Sequence, residues 1–468
     1  MVFSSLVFLT IFLPIVLFIY FLLSQSLRNA FLLIASIFFY MWGEPRLVGV
    51  MIFSITVNYF AGLAIDRTRS KSLLTQNMIM TLAVAINLGL LIYFKYFNFF
   101  ISSLQAFHLF TFIKNESILL PIGISFYTFH SISYLVDLRR NEVPVEKNPL
   151  KLGLYISLFP QLVAGPILRY HDVAPAITNR TVTPPKFTEG IIRFIQGLGK
   201  KVLIANTLAL IADGTFDQDA NTLPPSLAWL GIICYTLQIY FDFSGYSDMA
   251  IGLGKMFGFD FLENFNFPYI SQSIQEFWRR WHISLSTWFR DYLYIPLGGS
   301  KEGKFKTYRN LLFVFFVTGL WHGASWNFIF WGLFHGAFLI IERVLLGKVL
   351  LKIPQILRHI YTLLVVVTGW VFFRSPDFIY SLRYLRSMAG LSEGTSHLPL
   401  IYVTNYSIFI LLCGIIFSTP VFDYVSKRIK IPQSASVIIQ PIGYLSVLVL
   451  CFIELAQNSY NPFIYFRF

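Results

Sequence analysis

Charge is scarce in this 468-residue chain: Asp, Glu, Lys and Arg together make up 13% of it, about half the share typical of soluble proteins. That shortage excludes a fold held in water by a charged surface. Cysteine is as thin, with only Cys234, Cys413 and Cys451, widely spaced and in apolar surroundings. Their spacing matches no zinc or redox pattern, so they read as packing residues and offer no thiol nucleophile. A glycine-rich phosphate loop, a histidine and cysteine metal cluster and a serine elbow are missing too. No bound metal or cofactor is expected.

What is abundant is apolar: 56% of residues are hydrophobic and 18% aromatic. A hydrocarbon core about 30 Å thick takes roughly twenty apolar residues to cross, and runs of that kind or near it recur from end to end. The chain therefore reads as a single all-α polytopic membrane domain over 1–468. About eleven or twelve membrane helices are expected, with re-entrant or interfacial helices around a central cavity. Residues 2–23 lack the basic start and cleavage site of a signal peptide, so they read as a retained first helix. Further candidates are 30–42, 47–65, 78–100, 119–136, 152–167, 190–210 and 227–243. Beyond a middle stretch come 311–346 as one long or two short helices, then 357–373, 406–422 and 437–455.

The net charge of +13 does not point to nucleic acid, because the basic residues sit in short loops between apolar runs. Clusters at Arg67, Arg69 and Lys71, at Arg139, Arg140, Lys147 and Lys151, and at Lys427, Arg428 and Lys430 read as cytoplasmic. Counting back from Arg67 puts the N-terminus, and with it the 100–116 loop, outside.

The three parts then run 1–240, 241–310 and 311–468. The middle part, rich in Gly, Asn and Pro, carries Asp242, Asp248, Asp260, Glu263 and Glu276. Irregular backbone at membrane depth survives only where protein buries it or water fills a cavity, so a re-entrant or interfacial lining of a cytoplasmic cavity is expected. Asp242 and Asp248 with Gly245 would order a broken helix end or hold that cavity open. Residues 278–292 read as one amphipathic helix: Trp278, Trp281, Leu285, Trp288 and Tyr292 share one face, Arg279, His282, Ser286 and Arg290 the other. Prolines and glycines at 121–123 and 160–166 predict two further helix breaks.

His322 lies in Leu320-Trp321-His322-Gly323-Ala324-Ser325-Trp326, inside an apolar run. An ionisable group at membrane depth is a functional candidate by default, and His282 is the second one. Taken as a straight helix, His322, Ser325, Trp326 and Ile329 share a face while His335 points elsewhere. Composition and spacing leave a packing role, a proton relay in a transporter and a scaffold open as well.

Several segments together resemble the membrane-bound O-acyltransferase superfamily, and within it the bacterial alginate O-acetylase branch. They are Met1 to Ser5, Pro121 to Tyr127, Phe159 to Ile167, Tyr240 to Ala250, Asn264-Phe265 with Pro268-Tyr269, Arg280 to Gly299, and Leu320 to Gly323. The resemblance implies transfer of an acetyl group from a cytoplasmic thioester, acetyl-CoA or an acyl carrier, across a bacterial inner membrane. It makes His322 the essential histidine and His282 its partner. Arg279, Arg280, Ser286, Arg290, Asp242, Ser325 and Trp326 become candidate donor- or substrate-binding residues. A periplasmic SGNH-type acetyltransferase is the implied partner, beside membrane lipids, and alginate the implied acceptor. Peptidoglycan, another exopolysaccharide, or D-alanyl transfer to teichoic acid remain alternatives. The chemistry suits histidine, whose reference pKa allows it to take a hydroxyl proton near neutrality.

Overall fold

A computed structural model of the protein describes residues 1–70, 72–113, 118–396, 403–428, 432–457 and 460–464. Lys71, Lys430 and positions 114–117 of the expected outer loop lie outside the described residues. Among the described residues, eight helices are long and apolar enough to cross a membrane: Gln25–Gly43, Val48–Arg67, Leu73–Gln105, Pro184–Phe216, Pro225–Met256, Trp326–Leu350, Gln355–Arg374 and Val437–Gln457. Two shorter apolar helices, Phe8–Leu22 and Asn405–Phe417, accompany them. The protein is thus an all-helical, multi-pass membrane protein. The expected 119–136 span is the 16-residue helix Ile124–Arg139, and the 152–167 span is cut by Pro160 into Pro149–Ser157 and Phe159–Leu162.

The chain divides into two compact units, one of residues 1–193 with 250–262, the other of 194–249 with 263–468. Within the first unit, polar side chains join neighbouring helices. Ser54 donates to Asn87 at 2.7 Å, and Asn58 and Asn87 exchange amide hydrogen bonds at 3.1 and 3.0 Å. Amides without water to bond seek one another, and each such bond holds helices in register. Arg180 gathers Asn29, Tyr20 and the Phe257 carbonyl in the same way.

The second unit holds both candidate histidines, and here three expectations are corrected. First, the helix does not break at Asp242 to Asp248: Pro225–Met256 runs through both aspartates. The reason is charge pairing, since Lys201 meets Asp242 at 2.7 Å and Lys200 meets Asp248 at 2.6 Å. Paired ions no longer need the water that a broken helix end would admit. Close approach makes the pairing possible, for a Cβ on Gly245 would stand 2.7 Å from the Gly197 carbonyl oxygen.

Second, 278–292 is not one helix. Ser273 caps Ile274–Arg280, the chain turns at His282, and a new helix runs Ile283–Phe289 before a wider turn at Arg290–Tyr294. Segment 264–266 forces the turn by pairing with the backbone there, Ile283 N to Asn264 O at 2.9 Å and Asn266 N to Arg280 O at 3.0 Å. The turn carries Trp281 and His282 into the core instead of leaving His282 on a basic stripe.

Third, the helix bearing His322 stops at His322, and Trp326–Ile341 begins after Gly323 to Ser325. The straight face joining His322 to Ser325, Trp326 and Ile329 is therefore lost. The two helices pack so tightly that a Cβ on Gly332 would strike the Phe315 carbonyl, and one on Gly319 the Phe328 carbonyl. Gly332→Val should lower stability by about 1–3 kcal/mol or more, as overpacking does, read as a drop in the thermal midpoint of the detergent-solubilised protein. An unchanged midpoint would mean the hairpin is looser than described.

Candidate active site

His282 and His322 are both buried, at 0% and 1% exposure. Each reaches the same indole. Trp321 lies 6.2 Å from the His282 ring and 4.9 Å from the His322 ring, centroid to centroid. Trp331 continues the chain of rings, 4.9 Å from His322 and 5.3 Å from His335. His335, expected to point away, thus shares a tryptophan with His322. Aromatic walls of this kind exclude water, and their rings meet the His322 and His335 imidazoles edge-to-face while Trp321 is tilted to His282.

His282 is held from three sides. Phe243 packs edge-to-face on its ring at 4.6 Å. Its Nδ1 is 3.0 Å from the Asn264 side-chain oxygen, which also accepts from the Ser284 backbone N–H at 3.2 Å and its hydroxyl at 2.9 Å. The Asn264 amide nitrogen in turn donates to Ser247 at 3.0 Å. The backbone of His282 sits at φ 44°, ψ 56°, a left-handed conformation. Few non-glycine residues adopt it, and where they do the surroundings hold them there. The residue lies outside the eight spanning helices, and burial pushes its pKa down to about 3. It is a neutral imidazole at physiological pH.

The same unit holds a cavity of about 910 Å³, whose wall includes neither histidine. Four arginines line it, Arg279, Arg290, Arg343 and Arg358, against the two carboxylates Glu276 and Glu342. Its wall also includes Ser286, one turn after His282, and Thr318, one turn before His322. Glu342 serves the backbone, accepting from Ile274 N at 2.6 Å and Gln275 N at 3.1 Å. A cavity of this size, with an excess of guanidinium groups and an apolar wall, suits an anionic ligand that also carries an apolar part.

The remaining candidates scatter. Arg279, Ser286 and Arg290 line the cavity, whereas Arg280 is spent on Glu276 at 2.9 Å and the Asn266 carbonyl at 3.0 Å. Asp242 belongs to the ion pair with Lys201. Ser325 stands at the start of Trp326–Ile341, and Trp326 is 60% exposed. Asn264, Lys201, Trp331, Arg343 and Arg358 were not singled out for chemistry by sequence. A lysine inside an apolar run was the signal for Lys201. The others gave none, because their partners are distant in the chain. One group among the described residues, Asp137, Glu142 and His171 in the first unit, has atoms close enough to hold a metal ion. Its charges are already matched within the protein, His171 to Asp137 at 2.9 Å and Arg140 to Glu142 at 4.0 Å.

Comparison with known proteins follows the same outline. The protein named probable alginate O-acetylase AlgI of Pseudomonas putida is 43% identical over the whole of both chains. Its namesake from Azotobacter vinelandii is 42% identical, again over the whole of both. The peptidoglycan O-acetyltransferase of Helicobacter pylori is 36% identical over 84% of this chain and 80% of its own. Residues 63–373, which include His282, His322 and all of the cavity wall, match the family described as MBOAT, membrane-bound O-acyltransferase, and to that family this chain belongs.

Proposed function

We propose that the protein is an inner-membrane O-acetyltransferase that takes acetyl from cytoplasmic acetyl-CoA and delivers it for O-acetylation of alginate. The observation that carries this reading is the pair of buried histidines meeting at Trp321, each one turn along the chain from a residue that lines an arginine-rich cavity. Arg279, Arg290, Arg343 and Arg358 would receive the donor's phosphates, leaving its thioester end to reach towards Ser286 and Thr318. His322 would take the proton of the attacking hydroxyl. A periplasmic SGNH-type acetyltransferase would pass the acetyl group on to the polysaccharide, with the N-terminus on that same side. Two full-length relatives named as alginate O-acetylases support alginate over peptidoglycan.

The test is vesicle-reconstituted protein with labelled acetyl-CoA on one face and the acceptor on the other. Label should cross to the acceptor. Arg279→Ala with Arg290→Ala should raise the donor KM about tenfold or more, the worth of lost charge-assisted hydrogen bonds, with kcat little changed. Transfer from a carrier-protein thioester but not from coenzyme A would overturn the donor assignment. Label on peptidoglycan fragments in preference to alginate would overturn the acceptor.

A further inference from the structure

Resting on the acetyl-transfer reading, we propose that Asn264 is a positioning residue that fixes His282 as the tautomer with its proton on Nδ1 and its lone pair on Nε2, so that His282 accepts protons during transfer. The donor in each contact decides this. The Ser284 backbone N–H can only donate, and it points to the same Asn264 oxygen that lies 3.0 Å from His282 Nδ1. That atom is therefore the carbonyl oxygen of the amide, and Nδ1 must carry the hydrogen. The amide's other end donates to Ser247 Oγ at 3.0 Å, so both ends of the side chain are held.

A neutral imidazole with Nδ1 protonated has only an acceptor left. It has no N–H to offer the oxyanion that forms on the thioester, which removes the role otherwise open to a second histidine. What it can do is share the proton load of His322, directly or through one water. In the step itself the hydroxyl proton passes to the imidazole pair as the oxygen bonds to the thioester carbonyl carbon. The C–S bond then breaks, and the departing thiolate recovers the proton, leaving both histidines neutral.

Charged groups around His282 are mostly paired among themselves. The helix of Phe243 brings Asp242 with Lys201 and Asp248 with Lys200. The helix of Trp321 ends on His322, and the flanks of His282 carry Glu276 with Arg280 and Arg290 with Asp291. Arg279 faces the cavity, and Glu263 precedes Asn264. Replacing Asn264 by a carboxylate would therefore add a new charge to the nearest position.

Asn264→Asp keeps an acceptor for both Nδ1–H and the Ser284 N–H, so the turn survives. It also stabilises the protonated imidazole and raises its pKa. Because the acceptor form is the neutral one, activity should then fail at higher pH than in the unsubstituted protein. The acid limb of the acetyl-transfer profile should move up by a pH unit or more, a tenfold or greater loss at the acid end with the alkaline plateau kept. Nitrogen-15 spectra of histidine-labelled full-length protein give an independent readout, with the His282 signal identified by its loss in His282→Gln. They should report Nδ1–H in the unsubstituted protein. An Nε2–H signal, or an Asn264→Asp profile that overlays the original, would overturn the proposal. Failure of the unsubstituted protein to transfer acetyl would count against the functional reading alone, since the tautomer is read without turnover.

Discussion

His322→Ala should abolish acetyl transfer from a labelled thioester donor, by about 10²–10⁴-fold, the usual worth of a positioned general base. The side chain ends the Lys304–His322 helix, is 1% exposed and is walled by Trp321, Trp331 and Phe373 at 4.9, 4.9 and 5.3 Å. His335 lies beyond Trp331, and the part proposed for His282 is to share the proton load, not to carry it alone. The alanine also leaves a gap among rings, so the activity loss must be separated from unfolding. His322→Gln fills most of that volume and should keep the thermal midpoint within a few degrees while remaining inactive. Wild-type transfer by either variant would remove His322 from the chemistry.

The second large effect lies at the Lys201–Asp242 pair, whose side chains are 1% and 2% exposed. Asp242 also accepts from the Ile464 backbone N–H at 2.8 Å, while Lys201 donates to Asn206 at 2.8 Å and to the Pro462 carbonyl. Phe463 stacks on Tyr246 at 4.7 Å. The C-terminal segment thus closes over a buried ion pair. Asp242→Asn should cost about 3–5 kcal/mol, because it strands an ammonium group in an apolar interior. Lys201→Met combined with Asp242→Leu should restore most of that loss, since a greasy pair of similar volume needs no counter-charge. Unfolding of detergent-solubilised variants reads both. A single mutant as stable as the parent would mean that water reaches the lysine. Activity should fall with Asp242→Asn as well, since the adjacent Phe243 braces His282.

Long apolar runs such as 227–243 and 437–455 announced membrane helices, because burial in lipid leaves composition no choice. Both histidines were also legible, as ionisable residues in apolar or basic surroundings. The sequence misled where a distant partner decided the outcome. Asp242 and Asp248 looked like helix breakers until Lys201 and Lys200 neutralised them from another helix. The regular spacing of Trp278, Trp281, Leu285 and Trp288 suggested one helix, yet two backbone bonds from segment 264–266 bend the chain at His282. Periodicity records only neighbours a turn away, so it could not register Asn264, eighteen positions upstream in the chain.

The left-handed twist at His282 has a bearing on how the site is set. Holding a non-glycine residue there costs about 1–3 kcal/mol, and the ledge that compels it is segment 264–266 bonded to Arg280 and Ile283. Without those two bonds the residue has no local reason to keep this conformation, which brings its ring to within 6.2 Å of Trp321. The placing of the His282 ring is therefore a property of the assembled fold, set by a segment sixteen to eighteen residues upstream.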